Sequence, residues 1–265
     1  SGNFNLRDKL FITAPLFPYL LAGFKWIFSD NYVIALEAFQ IILSSVATIY
    51  IMLTSSIIFK SRRTTILTGI AYSLYPITLY YVHQFSQESI FQSLFIISIF
   101  YYSLFLTKGK FIHLSLFSCI FSLALLTKSI ILLTLPFLML SILIKLKFSK
   151  QTCFQAIYSL AIIFLITMPY GVYNKIVNES YVVASSGQGG HFLTGHNDDF
   201  YTYVTNPPAR DSKEYQRLKN MDYAVFDRLE PQIRKSNHKE QQEIFLKAGI
   251  EWSLENPKKF FTLAL

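Results

Sequence analysis

Charge is what this chain has least of. Only 15% of its 265 residues are charged, against about 25% in soluble domains. Between residues 31 and 170 the only carboxylates are Glu37 and Glu88. A stretch that long with two acids is no water-facing surface, which excludes an ordinary soluble enzyme. Cysteine is nearly missing too. Cys119 sits within an apolar run and Cys153 follows a lysine cluster, so neither a disulfide framework nor a cysteine metal site is available. Glycine numbers 10, and the Gly-Lys-Ser/Thr of a phosphate loop does not occur. Aromatic residues are plentiful, with 25 Phe and 17 Tyr, which excludes intrinsic disorder.

What remains is apolar. Runs at 31–59, 64–82, 88–107, 111–127, 129–144 and 154–170 are predominantly hydrophobic, and about 20 helical residues cross a bilayer core. Lipid offers the backbone no partners, so these segments are predicted to be six transmembrane helices. Treating 111–144 as one helix would make it about 51 Å long, so a hairpin around Thr127-Lys128-Ser129 is predicted instead. Eight cations fall in alternate loops: Lys60, Arg62 and Arg63; Lys108 and Lys110; Lys145, Lys147 and Lys150. The positive-inside rule makes those loops cytoplasmic. It places the polar stretch 171–257, which carries 12 of the 16 carboxylates, on the extracytoplasmic side. The fold expected is thus all-α membrane: a polytopic transmembrane helix bundle with a small mixed extracytoplasmic region.

The flanks complete the division. Residues 1–30 read as the end of an external loop, with an interfacial or re-entrant segment over 11–29 that Pro15, Pro18 and Gly23 interrupt. Residues 258–265 read as the start of a further span, and both ends as cut. Within 171–257, the stretch 184–199 (ASSGQGGHFLTGHNDD) reads as a glycine-rich loop. Its His191, His196, Asp198 and Asp199 have no metal-site spacing. A helix over 211–229 is expected, capped by Asp211, and an amphipathic one over 239–255.

Ionisable groups at membrane depth are costly and tend to mark function. Glu88 stands at the outer end of the third span and Lys128 at the outer turn between the fourth and fifth, so both face the same side as 171–257. A helix N-terminal carboxylate and a snorkelling lysine are the alternative readings. Glu37 would line a polar cavity or pair with a lysine. The tyrosines at 72, 75, 80 and 81 and the run Phe100-Tyr101-Tyr102 read as interfacial belts.

Several stretches together resemble the polytopic GT-C glycosyltransferases that use polyprenyl-phosphate sugars, in the branch of the protein O-mannosyltransferases and the lipid A aminoarabinose transferase. They are Gly2-Asn3-Phe4 with Ala14-Pro15-Leu16-Phe17-Pro18, Leu74-Tyr75-Pro76, Ser86-Gln87-Glu88, Leu126-Thr127-Lys128, Met168-Pro169-Tyr170 with Asn174, Gly189-Gly190 through Gly195-His196-Asn197, and Asn256-Pro257. Tyr170 replaces the family's usual Trp, and its Arg-Asn pair is not kept near 173–175.

The resemblance implies a membrane enzyme of the bacterial inner or plasma membrane, with its catalytic face extracytoplasmic. It would move a sugar from a polyprenyl-phosphate-linked donor to an acceptor glycan, lipid or protein. Glu88 would be a catalytic acid, with the principal aspartate expected upstream of residue 1. Lys128, Gly190, Gly195 and Asn197 would bind substrate. No cofactor is certain, though a divalent cation is compatible. A transporter or flippase, or a polymerase or ligase of lipid-linked glycans, is the alternative, although the spans show no matched Gly/Pro-broken halves. The external region has 10 basic and 12 acidic residues and therefore no basic face, which excludes nucleic acid.

Overall fold

The computed structural model describes residues 14–84, 86–178, 188–221, 223–234, 236 and 238–264. These residues are helical or irregular, with no strand among them. The described part of the polar region 171–257 is helical or irregular as well. The chain divides into two compact units, one built on Thr13–Asn174 and the other on Ser186–Leu265. Each is described in turn.

The first unit opens with α1 (Leu16–Phe28), whose Pro18 lies in the first turn, where a proline removes no intrahelical bond. Ser29 leaves helical geometry at φ 47 and ψ −117. The chain turns through Ser29–Asn31 into α2 (Tyr32–Phe59). Phe24 and Phe39 meet at 5.5 Å, so α1 folds back along α2. At 13 residues, or about 20 Å, α1 alone is too short to cross a bilayer.

The expected span 64–82 is not one helix. It consists of α3 (Arg62–Ser73) and α4 (Pro76–Val82), broken at Leu74-Tyr75. Pro76 pushes the residue before it out of the helical region, and Tyr75 is extended at ψ 115. α5 (Glu88–Lys108) follows and ends at Gly109, whose φ of 66 is the left-handed conformation glycine adopts without cost. The segment 111–144 divides into α6 (Phe111–Leu125), a 3-10 turn (Ser129–Thr134) and α7 (Leu135–Lys145). Tyr102 of α5 touches both arms: its ring lies 5.0 Å from that of Phe117 and its hydroxyl donates to the Leu138 carbonyl at 2.6 Å. Residues 117 and 138 thus lie level, and the two helices run in opposite directions. α8 (Lys150–Asn178) extends beyond the expected 154–170 at both ends and continues through Pro169.

Among the described residues three helices are long and apolar enough to cross a membrane: Leu16–Phe59 taken with its break, Glu88–Lys108 and Lys150–Ile176. Side chains in this unit are distributed as lipid demands. Ile42, Ile49, Ile58, Phe137, Ile157 and Leu165 are exposed, while Ser98, Ser118, Ser122 and Ser159 are buried. These four serines spend their hydroxyls on helix carbonyls or on one another. Ser118 of α6 meets Ser159 of α8 at 2.7 Å, the small-residue contact that lets membrane helices approach closely. The belt reading of the tyrosines is corrected in two places, because Tyr72 and Tyr102 are buried; Tyr75 and Tyr80 are exposed. The apolar core centres on Tyr102, Phe105, Phe117, Phe121 and Ile142. Phe117→Ala empties the middle of it. We expect a loss of about 3–5 kcal/mol, read as a lowered Tm of the detergent-solubilised protein.

The second unit contains α9 (Gln188–Gly195), α10 (Asp198–Thr205), α11 (Lys213–Lys219), α12 (Ala224–Ile233), α13 (His238–Glu255) and α14 (Pro257–Ala264). The expected loop over 184–199 is corrected: its described part forms α9 and the start of α10. The single helix expected over 211–229 is two. Its cap is Ser212, which accepts from the Tyr215 N–H at 3.0 Å, and not Asp211.

α9 packs on α13 because two glycines let the helices meet. A Cβ at Gly189 would overlap the Gln242 carbonyl oxygen, and one at Gly249 would stand 2.6 Å from the Phe192 ring.

Candidate functional site

Helix directions in the first unit follow from side-chain pairs. Gln40 of α2 donates to the Ser86 carbonyl at 3.0 Å, and the Tyr50 and Tyr101 hydroxyls meet at 3.3 Å, so α2 and α5 run the same way. Ser115 and Ser118 of α6 pair with Tyr158 and Ser159 of α8, so these two also run together. α6 follows α5 by a tight turn and returns against it. All eight loop cations therefore gather at one end of the unit, and Glu37, His83, Glu88 and Lys128 at the other.

At that other end the geometry is specific. Glu88 is the first residue of α5, where the unpaired N–H groups of the helix favour a carboxylate. Lys128 follows the end of α6, held by its own backbone. Its N–H bonds the Ala124 carbonyl at 2.9 Å, and buried Thr127 donates its hydroxyl to the Leu123 carbonyl at 2.8 Å. Lys128 then turns extended, at φ −150 and ψ 115. Its ammonium reaches Glu88 Oε1 at 2.9 Å, with the two side chains 37% and 27% exposed. The same turn anchors α1, since the Leu16 N–H donates to the Leu126 carbonyl at 2.9 Å.

Glu37 pairs with a histidine and not with a lysine. His83 Nδ1 lies 2.8 Å from Glu37 Oε1. With Gln40 on Ser86, one turn of α2 clamps the loop that delivers Glu88. Neither His83 nor Gln40 stood out in the sequence. The available signal was their setting: Gln40 is a polar residue three positions after Glu37 within an apolar run, and His83 begins the loop that lacks cations.

Of the candidate site residues, the catalytic candidate Glu88 and the substrate-binding candidate Lys128 are brought together in the first unit. Gly190, Gly195 and Asn197 lie in the second, with their polar groups engaged there. The Gly190 N–H donates to Gln242 Oε1 at 3.1 Å. Buried Asn197 donates to the Leu193 and Thr194 carbonyls at 2.8 and 3.0 Å and accepts from the Phe200 N–H at 2.8 Å, capping α10. Gly195 ends α9, and a Cβ there would meet open space. Gly2-Asn3-Phe4 lies outside the described residues.

The donor set does not suit a divalent cation. Among the described residues no three His, Cys, Asp or Glu side chains converge, and Glu88 already faces a cation of its own chain.

Beyond these residues, Asp198 pairs with Lys259 at 2.7 Å, tying α10 to α14. That ammonium holds the Asp198 carboxyl below its usual value; partial burial opposes the effect, and the Trp252 indole N–H, turned toward it without a full hydrogen bond, adds to it. A depressed folded-state pKa stabilises above the unfolded value of about 3.9 and is lost as pH falls through the lower folded value. Thermal unfolding is therefore expected to lose a stabilising contribution below about pH 4. In Lys259→Gln that part of the pH dependence should flatten.

A family model described as dolichyl-phosphate-mannose-protein mannosyltransferase matches residues 13–173, which include both Glu88 and Lys128. No curated protein and no solved structure gave a significant match. The match covers more than half of the chain, and the chain belongs to this family of integral membrane glycosyltransferases of the GT-C type.

Proposed function

We propose that this glycosyltransferase takes its sugar from a polyprenyl-phosphate donor and passes it to a hydroxyl or amine of a glycan, lipid or protein acceptor at the extracytoplasmic face. In the reaction, the acceptor's oxygen or nitrogen forms a bond to the anomeric carbon and gives up its proton to a carboxylate. The bond from that carbon to the phosphate oxygen breaks, and polyprenyl phosphate leaves with the electron pair. The charge that grows on the phosphate needs a fixed cation. Lys128 is that cation, a compact ammonium held in place by Glu88, and the pair is open enough for a phosphate to displace or join it. Glu88 also orients the hydroxyls of donor or acceptor. Gly190 within α9, Gly195 at its end and Asn197 at the cap of α10 are the further substrate-binding positions of this reading.

The observation that carries this reading is the Lys128–Glu88 pair at the end of the bundle opposite the cationic loops. A membrane-buried donor brings its phosphate to that level, and the positive-inside rule turns that end outward. The test uses the full-length protein in proteoliposomes with radiolabelled polyprenyl-phosphate mannose and a mixed acceptor extract. Label covalently attached to acceptor, with release of polyprenyl phosphate, is the expected result. Label that crosses the bilayer still bonded to its lipid would overturn the reading in favour of a flippase.

A further inference from the structure

The second unit contains a cleft of about 560 Å³ walled by the start of α10, by α12 and by α13. This volume falls within the range of small-molecule sites. α12 presents Arg228 and Gln232, four residues apart and so on one face; α13 presents Glu251, Trp252 and Glu255; Asp198 closes the third side. We propose that the cleft binds a neutral glycan, the sugar-bearing part of the acceptor. This assignment rests on the glycosyltransferase reading for the acceptor's identity, and on the cleft's own chemistry for the ligand class.

The lining is rich in carboxylates, yet two of them are already neutralised. Lys259 holds Asp198 at 2.7 Å. Arg217 holds Asp199 at 2.9 Å, and the Ala224 N–H donates to the same side chain. Arg228 lines the same cleft as the remaining acids, and Lys247 approaches Glu251 only loosely, at 3.9 Å. The net field is therefore weak, which favours neither a polyanion nor a strongly cationic peptide. Carboxylates accept hydrogen bonds, and a guanidinium and an amide donate them. A sugar ring offers hydroxyls of both kinds around its edge. The half-buried Trp252 supplies an apolar aromatic surface for the C–H face of such a ring, with His196 edge-on to it at 6.5 Å. Donors from α12 and acceptors from α13 that line one cleft with an aromatic ring suit a polyhydroxylated ring better than a lipid chain or a phosphate.

The experiment titrates the full-length protein in nanodiscs with mannotriose, without donor, and follows saturation-transfer NMR. Transfer to the ring protons is expected, and Glu251→Gln with Glu255→Gln should weaken it about tenfold, the scale of losing a charged hydrogen-bond acceptor. Both glutamates are exposed, so folding is spared. Trp252→Phe should keep part of the signal and Trp252→Ala lose it. Mannotriose binding unchanged in the glutamate and tryptophan variants would overturn the proposal. So would absence of any mannotriose signal, or a carboxylate-dependent signal from an oligolysine peptide alone. The two readings fail separately: wild-type protein that binds mannotriose but transfers no sugar sinks only the proposed reaction, and protein that transfers sugar without binding mannotriose sinks only the cleft.

Discussion

Lys128→Ala is expected to lower sugar transfer by about 10²–10³ in kcat, the scale on which losing one preorganised charge-stabilising group acts, while the protein stays folded. The pair is more than a quarter exposed on each side, so solvent screens the carboxylate left behind and the stability cost is small. Glu88→Gln keeps the shape of the side chain and removes its charge; it should also reduce turnover, because the ammonium loses the partner that fixes its position. The decisive protein is the exchange, Glu88→Lys with Lys128→Glu. It restores an ion pair between the same two positions but puts the ammonium on α5 and the carboxylate at the α6 turn. If the pair only fastened α5 to that turn, the exchange would recover transfer. If the phosphate needs a cation at the turn, transfer stays low although Tm recovers. Rates measured in proteoliposomes beside Tm in detergent separate these outcomes.

The second large effect concerns the α9–α13 crossing. Gly189→Ala should unfasten α9 from α13, because the added methyl would overlap a backbone carbonyl oxygen that no rotamer change can move. Overpacking of this kind costs about 1–3 kcal/mol and sometimes more. Gly190→Ala is the control one residue away. Its Cβ would meet the Phe245 ring at 3.7 Å and the Gln242 amide oxygen at 3.9 Å, ordinary contacts, and should be tolerated. Gly249→Ala falls between the two, since the atom in its way belongs to the Phe192 side chain, which can swing aside. Limited proteolysis within 188–205 reads the difference: Gly189→Ala rapid, Gly249→Ala intermediate, Gly190→Ala like wild type. Equal protection in all three would show that the helices have room to spare.

The glycines also show how sequence reading misleads. Gly187, Gly189, Gly190 and Gly195 among small polar residues look like a loop, because glycine is read as backbone freedom. Gly189 and Gly249 serve a different end, close approach of two helices. Their partner surfaces lie some 50 residues away in the chain, where no local pattern reports them. The break at Leu74-Tyr75 was foreseeable from Pro76, yet the apolar composition of 64–82 outweighed it.

Segregation of charge was enough, by itself, to establish a polytopic membrane protein, the grouping of its basic loops, and the placing of Glu88 and Lys128 at one level. Desolvation acts residue by residue along the chain and so leaves a one-dimensional record. Only the tertiary structure could decide that those two side chains touch, that His83 and Gln40 hold the loop before them, and that α10, α12 and α13 enclose a cleft. Such contacts join positions tens of residues apart, and they depend on distances and angles between helices that hydropathy and charge do not encode.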